Sequence, residues 1–344
     1  MGTNIENTYE GIYLVEYVNS NPHGSFNGDG APSIDPIDGR CRKSCESDRA
    51  KIRRYWATTL GLKAPYDILH RMEGFLARED GDEITIDDQV QRGRKSAGLG
   101  VSPKYLKGLE EAKTGGKKGR KKEKENAVPT LQEDNGALTI PQRRTVCEEV
   151  FRMYLDARVF GAMLNVGSDQ LGGCKGPFVI NDGVSLHPVI DVHQANTRQM
   201  VTSESEKKVR HQTVGNRVVV RYALMQSTFT LTPGSAHVTG MSMKDFYLTL
   251  DAMINCWTLD TAPHRRGVLR GLWLFKQPLR GRRPVPHDWT DILRVKCKLD
   301  DPSTASSFGD FEVTVDKSLV PQGVEILDIH AVLKMIDHQG LRVA

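Results

Sequence analysis

Between Arg40 and Arg54 the chain carries seven basic residues and two acidic ones. A 3.6-residue helix through this stretch aligns Cys45, Ile52 and Trp56 in one stripe and runs Arg42, Arg49 and Arg53 along its flank. Such a helix buries its apolar stripe and keeps a row of guanidinium groups beside the groove it borders. Guanidinium forks in a row suit a chain of phosphates better than a single small anion. The preceding stretch holds Asn21-Pro22, Gly24, Asn27-Gly28-Asp29-Gly30 and two further prolines, the composition of an exposed loop with free backbone N–H groups. The plainer reading of the whole is a solvated amphipathic helix after an ordinary loop.

A second place for phosphate chemistry is the glycine-rich turn Leu171 to Pro177, where Lys175 sits among Gly172, Gly173 and Gly176. Glycines let a backbone approach another molecule closely, although many such turns are only turns. The order G-x-x-x-x-G-K-[ST] is missing, which argues against a nucleotide P-loop. The six cysteines are dispersed. Cys41 and Cys45, one helical turn apart, lack a nearby histidine pair to complete a zinc site, so no metal and no cofactor are expected. Lys113 to Lys124 carries seven basic residues, one glutamate and three glycines. It cannot pack a core and reads as a flexible basic loop, either a solvated linker or an arm resting on a polyanion. Arg280 to Arg283 is a further basic cluster.

The elements that must position these groups follow from periodicity. Tyr9 to Val18 reads as a strand, the basic helix follows, and Phe178 to Ile180 is a short strand. His193 to Arg221 is polar with basic ends, as in a protruding hairpin running out over Thr197 to Val201 and back over Val218 to Arg221. Val218 to Leu231 reads as a long strand. Met241 to Trp257 is a helix with a capping box at Ser242 and Asp245 and an apolar face. His264-Arg265-Arg266-Gly267 links it to the strand Val268 to Phe275, and Phe311 to Val315 and Val324 to Ile329 are short strands. The core order is strand, helix, strand, strand, helix, strand, an α+β, ferredoxin-like or RNA-recognition-like arrangement. With 344 residues, 38% hydrophobic content and a net charge of +4, the chain has the composition of a soluble globular protein. No window approaches a membrane span, and MGTNIENTYEG lacks the regions of a secretory signal, so a cytoplasmic protein with no membrane partner is expected.

These blocks, in this order, resemble the repeated backbone subunit of type I CRISPR surveillance complexes (Cascade), nearest the I-C and I-B branches. The likeness rests on Asn21-Pro22-His23-Gly24, on Asp35 to Arg40 leading into Lys51 to Tyr55, and on Asp156 to Leu164. It continues through Gly172 to Pro177, His193 to Arg198, Val214 to Arg217, Arg266 to Phe275 and Pro321 to Val324. The family's N-P-x-G-D loop is interrupted by Ser25-Phe26-Asn27, and Asn216 stands in the x-G-x-[RK] segment.

The resemblance implies a palm over 1–60, 150–190 and 218–344, an inserted helical finger region over 61–149 with a flexible basic loop at 113–126, and a β-hairpin thumb over 191–217. It implies a non-catalytic subunit whose copies stack along a guide RNA (crRNA), with target DNA reached through guide pairing and other Cascade subunits as partners. Implied RNA contacts are Asn21, His23 and Gly24 in the loop, and Arg42, Lys43, Ser44, Arg49 and Arg53 at the first helix. Gly172, Gly173, Lys175 and Gly176 would hold further phosphates. In the thumb the candidates are Arg198, Met200 (an apolar wedge between bases) and Arg217, with Arg265 and Arg266 beyond it. Related type III subunits cut RNA with an aspartate after the first strand, which makes Asp29, Asp35 and Asp38 the residues of a rival, metal-dependent nuclease reading. A general single-strand RNA-binding protein is a third.

Overall fold

The computed structural model describes residues 3–23, 31–71, 84–114, 138–166, 169–198, 213–259, 263–277 and 289–338. Strand β1 (Tyr9–Ser20) carries the apolar run Ile12-Tyr13-Leu14-Val15 with Tyr17 beyond it because both of its faces are covered. Tyr9, Tyr13, Val15 and Tyr17 face one core, while Ile12 and Leu14 face the opposite side. After β1 come β2 (Ser33–Ile34), β3 (Arg40–Lys43) and helix α1 (Cys45–Thr59). An inserted stretch supplies α2 (Ile86–Ser96), α3 (Pro103–Thr114), α4 (Ile140–Met153) and α5 (Leu155–Phe160). Strands β4 (Gly161–Val166), β5 (Asp169–Lys175), β6 (Phe178–Ile180), β7 (Gly183–Pro188), β8 (Asp191–Arg198) and β9 (Thr213–Leu231) follow.

The helix Met243–Asn255 opens with the expected capping box: the Asp245 N–H donates to Ser242 Oγ (3.2 Å) and the Ser242 N–H to Asp245 Oδ2 (2.9 Å). It leads to β10 (Val268–Lys276), β11 (Leu293–Cys297), β12 (Phe311–Val315), β13 (Glu325–Asp328) and a last helix, Ile329–Asp337.

The main sheet runs β13-β10-β1-β9-β7-β3-β2, with β6 and β8 also paired to β9. Every pairing is antiparallel. In the strand-helix-strand-strand-helix-strand core, β10, β1, β9 and β6/β7 therefore lie in the order fourth, first, third, second. Helix α1 and the helix Met243–Asn255 cover one face, where Ile52, Trp56, Phe246 and Leu250 meet Tyr13, Phe178, Phe229 and Leu272. The β11–β12 hairpin closes the other face through Leu293 and Phe311. A separate apolar cluster joins Val90 of α2, Val146 and Val150 of α4, Tyr154, and Ala162 and Leu164 of β4.

Three local expectations are corrected. Arg40–Lys43 is a strand, not the start of the basic helix: exposure alternates along it, and the Cys41 N–H donates to Ser185 Oγ (2.9 Å). Residues 171–175 of the glycine-rich segment complete a hairpin with β4 and are not a compact turn. The described arms of the polar hairpin run out over Asp191–Arg198 and back over 213–220, longer than the expected strands at Thr197 to Val201 and Val218 to Arg221. Asp191 lies opposite Val220 and Arg198 opposite Thr213. Its middle, most of the basic loop at 113–126 and the cluster Arg280 to Arg283 lie outside the described residues.

Candidate nucleic-acid interface

The N-terminal half of α1 brings together Asn21, His23, Ser44, Arg49, Arg53 and the segment 264–266. Ser44 occupies the N-cap position but makes no cap hydrogen bond of its own. Its hydroxyl lies 3.1 Å from His23 Nδ1, and Asp182 Oδ1, from the turn between β6 and β7, accepts from the Cys45 N–H (2.8 Å). Burial pushes the His23 imidazole below its usual pKa against the opposing charge of Asp182. The neutral form of His23 is thereby favoured. Asn21 Oδ1 accepts from the His23 N–H (3.1 Å), and the Asn21 N–H donates to the His264 carbonyl (2.6 Å). Lys51, buried on α1, donates to the Arg265 carbonyl (3.1 Å). The loop, the helix start and the segment 264–266 are thus stitched together, with the Arg265 and Arg266 side chains exposed.

Lys43 belongs elsewhere. The inward register of β3 buries its ammonium 2.7 Å from Asp48 Oδ2, which also accepts from the Tyr13 hydroxyl (2.5 Å). The rings of Tyr13, Tyr17 and Trp257 lie within 5.0 to 5.9 Å of Nζ. Burial first, then the Asp48 charge, pushes the Tyr13 hydroxyl far up in pKa. Lys43 is a structural cation and does not reach a ligand surface.

Arg49 and Arg53, one turn apart, lie over the Phe160 ring at 5.7 and 5.3 Å from its centroid. Arg53 Nε donates to Asp156 Oδ2 (3.1 Å). Asp156 is wholly buried and also accepts from the Leu69 and His70 N–H groups, with His70 Nδ1 at 3.0 Å. Burial alone raises the Asp156 carboxyl, but the His70 hydrogen bond, the Arg53 charge and the Leu69 N–H together carry it below the ordinary range. Gripped through Nε, Arg53 keeps its two terminal nitrogens for other partners.

Phe160 passes directly into the β4–β5 hairpin. Gly161 has φ +79, and a β-carbon on Gly176 would sit 2.1 Å from the Phe160 carbonyl carbon. These glycines let the chain approach itself, not a ligand, and Gly176 is buried. Gly173 backs onto Met163 Sδ, and Gly172 (φ +95) lies where the β4–β5 register shifts between Met163 and Asn165. Lys175 is exposed and pairs across from Gly161, the residue that follows Phe160.

The remaining candidates are apart from this cluster. Arg42 lies on β3, not on the helix flank, and pairs with Asp35 (2.7 Å) and Asp38 (3.6 Å). Asp35 and Asp38 accept from the Ile37 and Arg40 N–H groups, so both hold the β2–β3 turn. The Ile37 N–H and then Arg42 keep the Asp35 carboxyl below its ordinary pKa. Arg198 and Arg217 lie on the β8–β9 ribbon, Arg217 opposite Gln194. Gly24, Met200 and Asp29 lie outside the described residues. Cys41 is in β3 and Cys45 begins α1, so they are not one helical turn apart, and burial pushes the Cys41 thiol up to about 12.

Asp156, Phe160, Asp182 and Glu46 were missed as site residues. Asp156 and Phe160 stood in a quoted motif, but only the fold brings them to α1. Nothing in the sequence shows that Asp182 reaches the helix start.

The chain belongs to the CRISPR-associated protein Cas7 family, whose model matches residues 7–316. No curated protein is similar enough to match it. Among solved structures, it is similar to a chain of a CRISPR RNA-guided surveillance complex in a pre-nicking state, at 14% identity and TM-score 0.44, covering 81% of this chain and 80% of that one. A chain of another CRISPR RNA-guided surveillance complex is similar at 13% identity and TM-score 0.38, covering 82% and 78%. Among the described residues, no helix is long and apolar enough to cross a membrane.

Proposed function

We propose that this chain is a non-catalytic guide-RNA-binding backbone subunit of a type I surveillance complex. Copies polymerise along the crRNA in the cytoplasm, beside other Cascade subunits, and hold it open for pairing with target DNA. In this reading the main sheet with α1 is the palm, α2 to α4 belong to the finger region and the β8–β9 ribbon is the thumb. The observation that carries it is the Arg49–Arg53 pair, spaced one turn apart on Phe160, in a chain of the Cas7 family. Cations at a fixed spacing grip phosphates without reading bases, which is what a guide-holding protein requires, since pairing supplies sequence specificity. The commitment of Asp35 and Asp38 to a turn supports the non-catalytic role over the nuclease reading.

The test is a titration with single-stranded RNA of increasing length, imaged by negative stain and run on gels with and without Mg²⁺. Filaments on intact RNA that add copies by a fixed nucleotide increment support the proposal. Metal-dependent fragments at regular spacing would replace it with the nuclease. Binding that does not depend on RNA length would sink the filament.

A further inference from the structure

The two arginines at the centre of the interface have different counter-ions. Arg53 is held by a carboxylate inside the protein, since Asp156 is wholly buried and bound by two backbone N–H groups as well. Arg49 is held by a carboxylate at the surface. Its Nη1 lies 2.5 Å from Glu46 Oε1, and the Glu46 side chain is 64% exposed while that of Arg49 is 20% exposed. Glu46 Oε2 also reaches Arg53 Nη1, at 3.9 Å. One exposed carboxylate therefore spans the outward nitrogens of both arginines, as the two oxygens of a phosphodiester would. Arg49 Nε, meanwhile, is buried and has no hydrogen-bond partner among the described residues. A buried donor left unmade costs free energy that a better-placed acceptor recovers.

We propose that Glu46 is a built-in stand-in for phosphate, an exchangeable counter-ion that a guide-RNA phosphodiester displaces from Arg49 and Arg53. The inference rests on the RNA-binding reading of this site and names how that site is regulated. While Glu46 occupies the arginines, a lone chain has a weakened grip on any stray anion. RNA that also engages the neighbouring groups around Lys175 and Arg265 supplies enough contacts to expel it. Asp156 plays no part in the exchange, because it is buried and holds Arg53 through Nε, whereas Glu46 approaches Nη1.

The experiment compares the full-length chain with Glu46→Gln, Arg49→Ala, the double variant, and Glu149→Gln, using a single-stranded RNA oligonucleotide at low and physiological salt. Glu149 pairs with Arg152 on α4, so Glu149→Gln makes the same change of net charge outside the interface. Glu46→Gln is expected to tighten RNA binding about fivefold at low salt, with the gain shrinking as salt rises. Glu149→Gln is expected to change affinity by less than about twofold, and the Glu46→Gln gain to vanish on the Arg49→Ala background, since it acts through that guanidinium. If Glu46→Gln binds no better than Glu149→Gln, or binds worse than the wild type, Glu46 orients Arg49 and the exchange is wrong while the site stands. If Arg49→Ala binds like the wild type, the interface itself is misplaced and the exchange falls with it.

Discussion

The start of α1 with β3, and the β8–β9 ribbon, are the two regions in which arginine and lysine pointed to RNA. In the first, Lys43, Arg49, Lys51 and Arg53 are each tied to a partner, and Arg53 and Lys51 reach across to distant parts of the chain. Lys43 has Asp48, Arg53 has Asp156, and Lys51 has the Arg265 carbonyl. In the second, Arg217 lies on a two-stranded extension opposite Gln194, with no carboxylate partner among the described residues. The same residue types thus do different work. At α1 the fold is built through the cations, and only part of each guanidinium is offered outward. On the ribbon a cation can be removed without touching a core.

The contrast is broken most forcefully at Asp48. Asp48→Ala leaves the Lys43 ammonium buried without its partner and is expected to cost about 3–5 kcal/mol in urea unfolding. A loss below about 1 kcal/mol would show that the α1 region does not depend on its buried pair. Next is Arg53→Ala, expected to cost about 2–3 kcal/mol because it strips charge compensation from buried Asp156. It follows that lost RNA binding in an Arg49→Ala, Arg53→Ala pair mixes binding with folding, and Arg49→Ala alone is the cleaner probe. That single change is expected to weaken RNA binding about tenfold in a filter or gel titration with little change in unfolding midpoint.

The same carboxylate sharpens the contrast through pH. The folded pKa of Asp156 lies below its ordinary value of 3.8. Its ionised form therefore stabilises the fold fully at higher pH, and the contribution is lost as pH falls through the depressed folded value. The stability gap between the wild type and Asp156→Asn is expected to be widest above about pH 5 and to close in stronger acid. A gap independent of pH would mean that Asp156 acts only by its shape. On the ribbon, Arg217→Ala is expected to lower RNA affinity two- to threefold at unchanged stability, within about 0.5 kcal/mol. The smallest effect belongs to Arg42→Ala, whose partners Asp35 and Asp38 are at the surface. Neither the unfolding midpoint nor RNA affinity is expected to move measurably.

The order of the core elements was legible because it is written in local patterns. The apolar run of β1, the Ser242–Asp245 box and the β12 alternation each need only a few neighbouring residues. The strand at Arg40–Lys43 was not legible, since its conformation comes from pairing with β7, some 140 residues away in the chain. Helical spacing put Arg42 in line with Arg49 and Arg53, but a change of element at Ser44 removed it. Lys43 misled for the same reason: nothing nearby in sequence says that a lysine is roofed by Tyr13, Tyr17 and Trp257. The glycines of 172–176 were visible as glycines, yet whether a close approach is to a ligand or to Phe160 depends on the fold.

The double-sided burial of β1 has a consequence for the growing chain. Tyr9 pairs with Leu231 on one side and Lys276 on the other. At about 5–20 residues per second of synthesis, the first partner follows β1 by roughly 10 to 45 seconds. For that interval a strand that the fold buries on both faces has neither neighbour to pair with. Nascent chains cut short before β9 should therefore be sticky and rich in chaperone, and chains long enough to include β10 should not.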